Sequence, residues 1–293
     1  MSALDVTDLF PWKDIRDVTV DGEKMVFIPK VYVKNIVIGG FPAWYICGIQ
    51  KEGYHLHPAF YNNGTPTQNG ILIAKYLSSG FIGDLHSREN ETAISLNFSD
   101  AESSIEAKNI QDGTSDQTGW HIYTLYEHHL LFRLALIEYG APNFALKSSD
   151  SSELSFVYHG IVYRHVLCWV SGLRWFYDGT LRIWCILDKT QSQEINTDLE
   201  VISNGLSYFS TSVYTDSTED YNLQDIFFGK NFIRNETKSL FGNNSQTLLP
   251  LSTAKGYSLY PLVTGFGTCL AIYASMNSIG STTSRYCRLA KFC

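Results

Sequence analysis

Positive charge is in short supply in this 293-residue chain: 22 Lys and Arg stand against 29 Asp and Glu, a net charge of −7. A protein that tracks nucleic acid needs a basic footprint. No Lys/Arg run and no basic amphipathic helix occurs, so that class is set aside. Long apolar runs are missing too. The one extended stretch without a charged residue, Gly256 to Ser284, is interrupted by Gly256, Pro261, Gly265 and Gly267 and turns polar after Ala274. It does not make a continuous apolar helix, and no membrane insertion is expected. The opening "MSALDVTDLFPWKDI" is acidic and broken by Pro11, so no signal peptide is expected.

Cysteine is sparse and badly spaced for metal chemistry. Cys47, Cys168, Cys185, Cys269, Cys287 and Cys293 form no C-x-x-C or zinc-like pattern. They are too few to staple a chain of this size, so mostly buried free thiols are expected. Gly39-Gly40 lacks the rest of a dinucleotide fingerprint, and the "GFG" at 265–267 does not open a G-x-G-x-x-G. No G-x-S-x-G elbow, P-loop or H-E-x-x-H is present. These absences predict no catalytic residue, no metal and no cofactor.

What is present is core-forming and aromatic. A composition of 44% hydrophobic and 17% charged residues lies far from the disordered regime. Tyr 18, Phe 17 and Trp 6 accompany abundant Ser, Asn and Gly. That mixture suits recognition surfaces, where Tyr gives rigid amphipathic contact and small polar residues adapt.

"MVFIPKVYVKNIVIGG", from Met25 to Gly40, is β-branched and partly alternating, as strands are. "AWYICGIQKEG" and "ILIAKYLSSGFIG" read as further short strands. His86 to Gln117 is polar and reads as a loop-rich connection. The clearest helix is "TLYEHHLLFRLALIEYGAP": Thr124 and Glu127 make a capping box, and Leu130, Leu134 and Ile137 form one apolar stripe. Gly140 and Pro142 supply the stop. Adjacent His128 and His129 cannot face one partner together. From Ser155 onward the chain reads as strand and turn, with Asp188 to about Lys255 loop-like. Many short strands with one or two helices predict an α+β domain with long loop insertions. It spans 25–293, after a lead-in of residues 1–24.

"HLHPAF" puts His55 and His57 two apart, one face of a strand, but no third ligand stands at a recognisable spacing. Pro58 argues for a strand end or turn there. The acidic pairs Glu89/Glu91 and Glu219/Asp220 lie in polar stretches and read as solvated surface.

Four segments in order, "MVFIPKVYVK", "GYHLHPAFYNNG", "YTLYEHHLLFRLALIEYGAPN" and "YHGIVYRHVLCWVSGLRW", carry a resemblance. Together they resemble phage tail-associated proteins with a C-type-lectin-like fold of the formylglycine-generating-enzyme type. The resemblance includes Glu138-Tyr139-Gly140 at a helix end, Tyr158 to Ile161, and an Asp178-Gly179 turn. The closing "GFGTCLAIYASMNSIGSTTSRYCRLAKF" is similar to the family's final region, with Phe266 where a Trp is usual and Cys287 in place of a small residue. The closely spaced cysteine pair of the oxidase branch is missing, so its chemistry is not implied. The "APN" at 141–143 lacks the carboxylate of calcium-binding lectin triplets.

One branch of that fold comprises the variable proteins of diversity-generating retroelements, whose C-terminal region is diversified at adenines. Mutating AAC or AAT codons that way never yields Lys, Glu, Gln or Trp, and none of these occurs between Gly256 and Ser284. The resemblance therefore implies a variable ligand-binding region at about 256–286. It sits on strands anchored through Arg288, Leu289 and Phe292. The expected contact residues are Tyr257, Tyr260, Phe266, Thr268, Tyr273, Ser275, Asn277, Ser278 and Thr282. The expected partners are a host-surface protein or glycan and other virion tail proteins, on a virion tail or an extracellular surface. The alternatives are an oxidase of the formylglycine-generating type, or a structural tail protein without a ligand.

Overall fold

Two apolar runs, "MVFIP" and "GILIA", pair side by side in the main sheet of the computed structural model. Met25 opposes Ala74, Val26 opposes Ile73 and Ile28 opposes Ile71. All five residues of Gly70–Ala74 are buried, which is why that strand reads as a continuous apolar run rather than an alternating one. A Cβ at Gly70 would lie 2.2 Å from the Ile28 carbonyl oxygen, so only glycine permits the two strands to meet there. The structure describes residues 5–38, 41–62, 65–114, 119–139, 154–164, 168–171, 173–177, 181–186, 194–201, 208–209, 247–248, 256–258, 262–266, 268–274 and 285–293.

The main sheet has five antiparallel strands in the order Arg16–Val20, Glu23–Pro29, Gly70–Ala74, Leu289–Phe292, Trp120–Ile122. Its first strand falls in the segment read as a lead-in. Trp12, also in that segment, is buried and donates its indole N–H to the Tyr158 hydroxyl over 3.1 Å. Trp12 and the strand Arg16–Val20 are thus part of the same packed unit.

A second five-stranded sheet has the order Ser95–Leu96, Arg285–Tyr286, Cys168–Val170, Leu262–Phe266, Thr268–Ala274. Its pairs are antiparallel except Cys168 with Tyr286, which run parallel. A four-stranded sheet orders Glu194–Val201, Leu181–Ile186, Leu173–Tyr177 and Gly256–Ser258. With two helices the described residues make an α+β fold of mainly antiparallel strands.

The helices differ in how they announce themselves. Helix α2, Leu125–Tyr139, starts as expected: the Glu127 amide donates to Thr124 Oγ1 (3.2 Å) and the Thr124 amide to Glu127 Oε2 (2.7 Å). Leu130 and Leu134 are fully buried. The stop at Gly140 and Pro142 lies outside the described residues.

Helix α1, Phe98–Gln111, overturns the reading of His86 to Gln117 as loop. Asn97 caps it, its side-chain oxygen accepting from the Asp100 amide at 2.8 Å. The stripe it buries is Phe98, Ala101, Ser104, Ile105, Lys108 and Asn109, half of it polar, so the helical period is hidden in a hydropathy reading. Each polar member is satisfied: Asn109 exchanges hydrogen bonds with the Trp120 backbone, and Lys108 meets buried Glu23 at 2.8 Å. The strand Glu194–Val201 similarly falls in the stretch read as loop, paired along Leu181–Ile186.

The core gathers Met25, Leu72, Leu85, Leu96, Phe98, Ile105, Trp120, Trp169 and Leu289, drawing on both five-stranded sheets and on α1. No helix among the described residues is long and apolar enough to cross a membrane.

Candidate functional site

The described residues of the C-terminal region expected to bind lie on strands in two sheets. Phe266 ends Leu262–Phe266, and Thr268 and Tyr273 lie on Thr268–Ala274, the outermost strand of the second sheet among the described residues. Phe266 is the register partner of Thr268, and Val263 that of Tyr273, so these three expected contacts share one strand pair. Tyr257 sits elsewhere, on Gly256–Ser258, opposite Phe176 in the four-stranded sheet. Tyr260, Ser275, Asn277, Ser278 and Thr282 lie outside the described residues.

That strand pair is mounted on the segment around Trp169. Leu262–Phe266 pairs with Cys168–Val170, where Trp169 is buried. The Trp169 indole N–H donates to the Leu96 carbonyl at 2.7 Å and its ring meets Phe98 edge-on at 5.8 Å. Trp169 therefore ties the second sheet to the start of α1. Sequence reading did not single it out; an aromatic between Cys168 and Val170 was the only local sign.

Arg285–Tyr286 pairs with Ser95–Leu96, and the chain then passes through Cys287 and Arg288 into the main sheet. Arg288 is 3% exposed. Its guanidinium donates to the carbonyls of Ala74 (2.5 Å), Lys75 (3.1 Å) and Val162 (2.7 Å), and lies 5.2 Å from the Tyr163 ring centroid. Burying a cation costs free energy unless its donors are satisfied. Here one side chain fastens the C-terminal strand to the end of Gly70–Ala74 and to the hairpin of Leu154–Tyr158 and Ile161–Arg164. Leu289 and Ala290 are fully buried and Phe292 nearly so. The expected anchors Arg288, Leu289 and Phe292 are where the sequence reading put them.

Beside this anchor, His121 stacks on Phe292 with 4.3 Å between ring centroids, and its Nε2 meets Glu127 Oε1 at 2.7 Å. The capping-box carboxylate thus has a second task, holding the imidazole against the last strand. The Tyr123 and Tyr163 hydroxyls meet at 3.5 Å. Burial first, then Tyr163, pushes the Tyr123 phenol well above its usual range, against the pull of Arg288.

The other candidates have structural explanations. The strand His55–Leu56 ends before a short helix at Pro58–Phe60, as Pro58 suggested, and His57 Nδ1 accepts from the Ala59 amide at 3.2 Å. No group of three His, Cys, Asp or Glu among the described residues could hold a metal ion. Glu91 is engaged by the Ser79 hydroxyl, the first cause of its lowered pKa, and by Arg88 at 3.4 Å. Cys47, Cys287 and Cys293 are free thiols, and of these three Cys287 alone is buried. Burial pushes its thiol up to about 11, so it is a protonated core group at neutral pH.

No protein-family model and no curated protein matches this chain.

Proposed function

We propose that this chain is a ligand-binding protein with a C-type-lectin-like scaffold, a receptor-binding component of a virus tail or a surface-displayed adhesin. Its binding face is the C-terminal region around 256–286, and its target is a protein or glycan on a host surface. Other tail proteins are its structural neighbours. The observation that carries this reading is a juxtaposition. A segment free of Lys, Glu, Gln and Trp and rich in Tyr, Ser, Thr and Gly runs directly into Arg288 and Leu289–Phe292, the most firmly buried end of the chain. Side chains mounted on anchored strands hold their positions while their identities vary. Tyr and Phe at 257, 260, 266 and 273 supply most of the contact energy, as aromatic anchors do at interfaces, and the small polar residues set the hydrogen bonding.

The test is deep sequencing of this gene across a natural population. Substitutions crowding into the codons for 256–284, mainly at adenines matching a template repeat, are the expected result. An even scatter along the gene would remove the diversified-surface reading.

A further inference from the structure

The outer face of the main sheet carries an open groove of about 300 Å³, well away in sequence from the C-terminal strands. Its floor is the Arg16–Val20 and Glu23–Pro29 pair. Thr19 and Lys24 are register partners, and Asp17 lies two residues before Thr19, so all three stand on one face. One step along, Met25 is buried in the core, and its register partner Val18 packs against that core while also lining the groove. The wall is Lys75 and Tyr76, which follow Gly70–Ala74, together with Glu89.

Four charges line this groove, and they are not equivalent. Lys75 is ion-paired with Asp17, and the two cancel. The pair is held from above by the hairpin turn at His159 and Gly160, both at positive φ. A Cβ at Gly160 would come within 2.7 Å of Asp17 Oδ1 and 3.1 Å of Lys75 Cε, so a bare glycine is what lets the pair form. Lys24 has only a neutral companion, donating from Nζ to Thr19 Oγ1 at 3.3 Å. Glu89 has only the Tyr76 hydroxyl, whose pKa is raised first by burial and then by the charge of Glu89. Among the described residues, neither Lys24 nor Glu89 has an ion-pair partner.

This inventory selects a ligand by charge. A simple anion placed at Lys24 also faces Asp17 and Glu89, and a simple cation placed at Glu89 also faces Lys24 and Lys75. A molecule carrying both charges satisfies both poles and leaves neither side opposed. The volume lies at the small end of ligand sites, which limits the ligand to a few heavy-atom groups. We propose that this groove binds a small zwitterion, its anionic group at Lys24 and its ammonium at Glu89 beside the Tyr76 ring. An ammonium over a tyrosine face gains a cation–π contribution as well. The anionic end is a carboxylate, as in an amino-acid-like molecule, or a phosphate, as in a phosphocholine headgroup.

Saturation-transfer NMR on the full chain tests this, with glycine betaine and phosphocholine as probes and with choline, acetate and inorganic phosphate as their separate halves. At least one zwitterion is expected to bind, and each half to bind at least about tenfold more weakly. Betaine alone binding identifies the carboxylate source, and phosphocholine alone the phosphate source. Lys24→Glu and Glu89→Lys each lower the affinity at least about tenfold, and the double exchange restores it with the ligand reversed. Both side chains are exposed, so folding is not at stake. The proposal is overturned if neither zwitterion binds, if a half binds as well as the whole, if the single exchanges change nothing, or if the double exchange fails to restore binding.

Discussion

In the main sheet the chain's last strand, Leu289–Phe292, lies between Gly70–Ala74 and Trp120–Ile122, with a neighbour on each side. In the second sheet Leu262–Phe266 lies between Cys168–Val170 and Thr268–Ala274, and Thr268–Ala274 is outermost among the described residues. The stretch 275–288 therefore separates a strand with a neighbour on each side from one, Thr268–Ala274, that among the described residues has a sheet neighbour on one side only. Interior positions are close-packed, and a change of even one methylene is felt there. An outermost strand has one neighbour to satisfy, so its residues are freer to be chosen for something other than stability. On the proposed function, this contrast is what lets a diversified surface stand next to the fold's most constrained segment.

The sharpest way to break this comparison is at Arg288. Arg288→Met leaves three buried carbonyls without their donor, and the expected loss is roughly 3 kcal/mol or more, read from chemical denaturation. A loss under about 1 kcal/mol would show that the guanidinium is not what fastens the last strand. Next comes Trp169→Ala, which removes the Leu96 hydrogen bond and the edge contact with Phe98; about 3–5 kcal/mol is expected. Trp169→Phe keeps most of the packing, so comparing the two variants separates the indole hydrogen bond from the ring.

Glu102, on the helix that bridges the two sheets, makes stability depend on pH. Burial raises its carboxyl from 4.5 to about 7. The folded chain therefore keeps this proton where the unfolded chain has lost it, and stability falls as pH climbs from about 4.5 to about 7. Glu102→Gln should flatten that decline and leave the variant the more stable of the two above pH about 7, measured by thermal unfolding across the range. A decline unchanged by the substitution would assign it to other groups.

The smallest stability effect belongs to the rim. On the reading that Tyr273 faces a ligand from the outermost strand, Tyr273→Ser and Tyr273→Ala are expected to move stability by about 0.5 kcal/mol or less. On the proposed function they also weaken attachment to the host surface at least about tenfold, in a cell-binding assay. If rim substitutions destabilise the protein as much as Trp169→Ala does, the two regions are not different in kind.

Legibility followed the range of the interaction. The capping box at Thr124 and Glu127 spans three residues, so it stood in the sequence and in the structure alike. The Asn97 cap was equally local, but α1 went unread because Ser104, Lys108 and Asn109 occupy its buried stripe. Their partners, Gly83, Glu23 and Trp120, come from other elements, and hydropathy does not see them. The expected contact positions rest on family resemblance. The structure puts Phe266, Thr268 and Tyr273 on one strand pair and Tyr257 in another sheet, a division set by pairing partners distant in sequence.

By itself the sequence determined the strand-rich α+β character, the start of α2 and an apolar, basic end too core-like for a tail, because each depends on neighbours within a turn or a strand. Tertiary structure alone decided that this end lies inside a sheet and that Arg288 donates to carbonyls 126 to 214 residues away. It likewise decided that Lys75 and Asp17 cancel on the outer face while Lys24 and Glu89, among the described residues, have no ion-pair partner. Those outcomes depend on which distant strands become neighbours, and no local pattern encodes that.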